Sequence, residues 1–123
     1  MKKFELVFEV RPGYLYACVT AGKIDRPTAL TYLRKIAEQV KAHATDRLLI
    51  ERDIPVMLEP ADLFFTAQDF IEMVGRTRVA FVNKHASIHE EMQFGVMIGT
   101  NRGASYRLFH NVADAEEWLL AAK

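Results

Sequence analysis

Cysteine is nearly absent: of 123 residues only Cys18 carries a thiol. No intramolecular disulfide can form, so a reducing, cytoplasmic setting is the expectation. Its place inside the alternating segment YLYACVT makes Cys18 a buried, inert thiol on the simplest account. Long apolar runs are also missing. Nothing approaches the twenty or so residues that a membrane helix needs, which excludes an integral membrane helix. The start, MKKFELVFEV, carries charge through what would be the apolar core of a signal peptide. Net charge is lacking too, because 16 Lys and Arg cancel 16 Asp and Glu. No global field gathers nucleic acid or an anionic surface, and cations and aromatics are not interleaved as a nucleic-acid surface requires. No G-x-G-x-x-G, P-loop or HExxH pattern occurs, so no nucleotide, metal or other cofactor is expected.

What remains is the balance of a globular chain, half hydrophobic and about a quarter charged. Its length suits a single domain over residues 1–123 with one sizeable core. Phe4 to Val10 alternates as a half-buried strand, with Phe4, Leu6, Phe8 and Val10 on one face. Pro12-Gly13 makes a tight turn into a second strand, Tyr14 to Thr20. Asp25 or Thr28 caps an amphipathic helix reaching about Ala42, with Leu30, Leu33, Ala37 and Val40 inward. Asp46 to Arg52 is a third strand. Pro55 and Pro60 then forbid regular structure until a helix that starts no earlier than Pro60, faces inward with Leu63, Ala67, Phe70 and Val74, and stops at Gly75.

Thr77 to Val82 is a fourth strand, and Ser87 is placed to cap a helix whose inner face runs Ile88, Met92, Gly95 and Gly99. The two glycines let that helix approach its neighbour closely. Asn101 or Gly103 ends it. Ser105 to Phe109 is a short fifth strand. Asn111, with Asp114 three residues on, caps a last helix facing inward with Val112, Ala115, Leu119 and Ala122. The order ββαβαβαβα predicts an α/β fold with a five-stranded, mixed but mostly parallel sheet and four helices on its faces.

That order, with VAFVN entering a helix, then GTNRG, YRLF and a closing DAEEWL helix, resembles the bacterial STAS-like domains, the SpoIIAA-like family related to anti-sigma-factor antagonists. The likeness covers nearly the whole chain and rests on element order and length. It implies a small cytoplasmic, non-enzymatic module acting by protein–protein contact, self-association as a homodimer included, or by holding a small ligand. In members with a phosphorylation switch, a serine follows the third strand in an Asp-Ser-Ser-Gly-like turn. The matching stretch here, Asp53-Ile54-Pro55-Val56, has no hydroxyl, so the resemblance implies the scaffold and its manner of binding without that switch.

Two sets of residues stand out as candidate sites. Ligands in open α/β sheets lie off the carboxyl ends of the parallel strands, which singles out Glu51, Arg52, Asp53, Asn83, Lys84 and His85. The simplest account is a solvated polar rim whose acids pair with Arg52 or Lys84. The second set is apolar: Ile54, Val56, Met57, Leu58, Leu63, Phe64 and Phe65 crowd a segment that two prolines keep irregular. One helical face cannot bury them all, so a partner surface, a second subunit or the wall of a pocket for a small apolar or lipid-like ligand is expected there. A third reading is a hydrolase on Glu51, Asp53, Ser87 and His89, which requires those side chains to converge. The pair His85 and His89 lacks a third metal ligand.

Overall fold

A computed structural model describes residues 3–121; Ala122, expected on the inner face of the last helix, lies outside them. In chain order the elements are β1 (Glu5–Arg11), β2 (Tyr14–Thr20), α1 (Arg26–Ala42), β3 (Arg47–Asp53), α2 (Pro60–Val74), β4 (Arg78–Asn83), α3 (His89–Asn101), β5 (Tyr106–Phe109) and α4 (Val112–Leu120). The α/β architecture expected from the sequence is the one observed. The strands lie side by side in sequence order, β1 antiparallel to β2 and β2 to β5 parallel.

Because each crossover moves one strand further in the same direction, its usual right-handedness puts every crossover helix on one face. Accordingly, side chains of α1, α2 and α3 bury with Leu15, Ala17, Leu48, Ile50 and Val79 in one cluster. Helix α4 crosses to the other face, where Ala115 and Leu119 pack on Tyr14, Tyr16, Leu49 and Val82. The strand order contains no reversal. The crevice that such a reversal opens at the strand ends is therefore missing, and the helix-covered face is where apolar volume is enclosed.

Local signals act much as the sequence implies. Gly13 turns the β1–β2 hairpin at φ +88°, a conformation that a side chain disfavours. Asp25 caps α1 by accepting the Thr28 N–H at 2.9 Å, and Asn111 caps α4 by accepting that of Asp114 at 2.8 Å. The buried stripe of α1 is Tyr32, Leu33, Ile36 and Val40. Leu30 and Ala37, expected inside, are half-buried at its margins.

Two expectations fail. Val10 is 69% exposed, because no helix reaches over that end of β1. Ser87 caps nothing: it is exposed within a 3₁₀ turn, Ala86–Ile88, that precedes α3. The cause lies upstream, where the buried Asn83 side chain donates to the His85 carbonyl at 2.8 Å and accepts its N–H at 3.0 Å. That closed loop leaves β4 in a tight turn, and α3 starts only at His89, with Glu90 and Glu91 in its first turn suited to the positive end of the helix dipole.

Candidate functional site

The expected polar rim divides between the two faces of the sheet. Strand β3 continues regularly through Asp53, so successive side chains alternate. Leu49, Glu51 and Asp53 face the α4 side, and Leu48, Ile50 and Arg52 face the α1–α3 side. On the α4 side, Glu51 accepts a hydrogen bond from the Tyr16 hydroxyl and pairs with Lys84 at 3.7 Å. Burial, reinforced by that bond, pushes the Tyr16 phenol well above its ordinary range. Asp53 pairs with His85 Nε2 at 2.7 Å. Each acid thus has its own partner.

Arg52 corrects the rim reading. It is only 5% exposed and pairs with no acid among the described residues. Its guanidinium donates to the Ile54 carbonyl at 3.0 Å and the Val56 carbonyl at 2.7 Å. Those bonds hold the proline-flanked segment as a strap over the end of the helical layer. Backbone carbonyls that could find no ladder partner are satisfied by a side chain instead. Asn83 likewise is buried rather than on a rim.

The apolar set is also divided. Ile54 is fully buried, and Leu58 and Leu63 are nearly so, which removes Ile54 from any partner surface. Val56 and Phe65 are exposed. Phe64 is half-buried, edge-on to Phe65 at 5.4 Å and with the Arg102 guanidinium 5.6 Å from its ring centre. Met57, Leu58 and Leu63 serve two spaces at once. Inward, they line a cavity of about 100 Å³ between the sheet and α1, α2 and α3. Outward, with Pro60 and Phe94, they floor an open groove of about 530 Å³ whose other lining residues are Glu59, Glu90 and Glu91.

The cavity wall carries features that the sequence reading missed. Tyr32, Ile50, Phe70 and Phe81 make it largely apolar, yet Arg52, Thr66 and Tyr106 line it too. The Thr66 and Tyr106 hydroxyls are buried without a hydrogen-bond partner among the described residues. An orphaned buried hydroxyl costs about 1–3 kcal/mol. Thr66 was detectable as the polar member of the Leu63, Thr66, Phe70 stripe, three and seven residues along one helical face. Nothing in YRLF signals that its tyrosine oxygen ends unpaired.

Burial pushes the Tyr106 phenol above its ordinary range. A phenol raised on folding adds stability that is present below the unfolded value near pH 10 and is lost as pH climbs through the folded one. Tyr106→Phe is therefore expected to unfold at a higher alkaline midpoint than the parent. Tyrosinate absorbance and circular dichroism followed together check this, and coincident midpoints for the two proteins would contradict it.

The four residues of the hydrolase reading do not come together through any hydrogen bond or ion pair among the described residues. Glu51 and Asp53 are engaged as above, Ser87 is exposed, and His89 stacks on His110 with ring centres 4.6 Å apart. Among the described residues no group of three or more His, Cys, Asp or Glu side chains forms a metal-binding arrangement. No described helix is long and apolar enough to cross a membrane.

No family model matches the chain, and no curated protein matches it. Among solved structures it is similar to an anti-sigma factor antagonist from Mycobacterium paratuberculosis. The match has a TM-score of 0.68 and 17% identity, and covers 96% of this chain and 95% of the other. The fold is therefore that of an anti-sigma factor antagonist, the STAS-type fold that the element order implied.

Proposed function

We propose that this chain is a non-enzymatic regulatory module that acts by protein–protein contact, using the groove between the Met57–Leu63 stretch and the start of α3. The observation that carries the reading is the groove's composition. Its floor is apolar and includes the exposed Phe94, while every charged residue lining it, Glu59, Glu90 and Glu91, is acidic. A basic amphipathic helical segment of a partner protein complements it, laying an apolar stripe on the floor and its cations along the acids. The antagonist named above supports a regulatory role of this kind. With no hydroxyl between Asp53 and Val56, docking here operates without a phosphorylated serine in that stretch.

The test uses fluorescence anisotropy with defined amphipathic peptides of equal apolar content, one set lysine-rich and one glutamate-rich. Lysine-rich peptides are expected to bind, more weakly as salt rises. Phe94→Asp is expected to weaken binding at least tenfold, within the range of an interface anchor. Glu90→Lys with Glu91→Lys is expected to do the same while leaving the circular dichroism spectrum unchanged. Equal binding of both peptide sets, or indifference to these substitutions, overturns the reading.

A further inference from the structure

We propose that the cavity between the sheet and α1, α2 and α3 is a binding site for a small monocarboxylate with a short apolar body, no larger than a four-carbon fatty acid. The site shares only the wall of Met57, Leu58 and Leu63 with the groove and does not depend on what docks there. Three observations converge on this chemistry. First, Arg52 lines the cavity, is 5% exposed, and has no carboxylate partner among the described residues. Buried charges are ordinarily paired, and a guanidinium has five N–H donors, of which the two bonds to Ile54 and Val56 engage two. Second, Thr66 and Tyr106, 4% and 8% exposed, line the same cavity, and their buried hydroxyls have no hydrogen-bond partner among the described residues. Third, no acidic side chain among the described residues lines it. The wall is therefore apolar with one cation and two free donors, a setting that favours an anionic acceptor and disfavours an amine.

Size separates this occupant from water. A space of about 100 Å³ is several times the roughly 10–15 Å³ that one water needs on the same kind of measure, and ordered water needs two to four polar partners. Two hydroxyls and a guanidinium satisfy one or two waters and leave the phenylalanine-lined remainder dry. An apolar body fills that remainder, while the carboxylate meets the guanidinium and, where reach allows, a hydroxyl. A dry engineered cavity of about 150 Å³ accepts benzene, which keeps the limit for this smaller one at no more than about six heavy atoms.

The experiment titrates butyrate, butanol and butylamine into the purified protein, following backbone amide resonances and thermal midpoint. Butyrate is expected to shift resonances of Arg52, Thr66, Phe70 and Tyr106 and to raise the midpoint. Butanol is expected to bind at least tenfold more weakly, and butylamine not at all. Thr66→Val and Tyr106→Phe preserve shape and remove one donor each, so they keep the fold while weakening butyrate severalfold. Ala67→Leu, which inserts bulk into the wall, is expected to abolish binding while the groove still takes up lysine-rich peptide. Equal affinity for butanol and butyrate, shifts confined to the surface, or no response to any probe overturns the proposal. Loss of peptide binding with butyrate binding intact would refute only the groove.

Discussion

Arg52→Ala is expected to lower stability by about 3 kcal/mol, one of the largest single losses available to this chain outside the hydrophobic core. Hydrogen bonds to charged groups contribute about 1.5–3 kcal/mol each. The guanidinium supplies two, to the Ile54 and Val56 carbonyls, and its removal leaves both acceptors to find water or stay bare. Against a total stability of 5–15 kcal/mol for an ordinary domain, that loss is severe. Arg52→Met separates the causes, because it restores much of the buried volume but no donor. If the loss comes from the carbonyls, methionine recovers less than half of it.

Arg52→Lys is also expected to fall short of the parent, since one ammonium does not reproduce a planar fork bonded to carbonyls two residues apart. Urea midpoints measure the three variants. Amide exchange over residues 54–58 reports whether the strap loosens before the rest unfolds. Parent-like stability and exchange in Arg52→Ala would mean that the strap is held by Ile54 alone.

Why Arg52 was misplaced while the fold was legible is a matter of period. The alternation from Phe4 to Phe8 and the helical stripes repeat a local rule over several residues, the caps at Asp25 and Asn111 obey one, and local rules survive folding where tertiary contacts agree with them. Glu51-Arg52-Asp53 read as a charged unit because three adjacent letters look alike. A strand divides such a unit by alternation, and Leu48 and Ile50 already marked the face that Arg52 shares.

The apolar segment could be located but not resolved residue by residue, for the opposite reason. Ile54, Leu58 and Leu63 turn inward and Val56 and Phe65 outward, yet two prolines deny the segment any period from which its inward residues could be told. Tertiary hydrogen bonding from Arg52 decides its path. The acidic wall of the groove joins Glu59 to Glu90 and Glu91, some thirty residues apart, and only the packing of α3 beside α2 brings them together. Orphaned hydroxyls are likewise a property of surroundings, invisible in the residues themselves.

Gly99→Ala is expected to destabilise the protein by about 2 kcal/mol, even though the same change in an open helix stabilises by about 1 kcal/mol through propensity. The difference is space. A Cβ at residue 99 would lie 2.3 Å from Cδ2 and 2.6 Å from Cε2 of the Tyr106 ring. That ring cannot swing aside freely, with Phe81 and Phe70 centred 5.5 and 6.0 Å away. Overpacking of this sort costs about 1–3 kcal/mol or more, which outweighs the propensity gain.

Gly95 supplies the internal control, one turn earlier on α3. There a Cβ would meet only the flexible end of Leu63, at 3.3 Å, so Gly95→Ala is expected to stay within about half a kcal/mol of the parent or to gain slightly. Combining Gly99→Ala with Tyr106→Leu removes the clash and should recover part of the loss beyond the sum of the single effects, a coupling that a double-mutant cycle reads directly. Additive effects at these two touching residues would show that the close approach of α3 to β5 does not limit this helix. A favourable Gly99→Ala would show that the ring yields, and that the wall of the cavity beside it is softer than its packing implies.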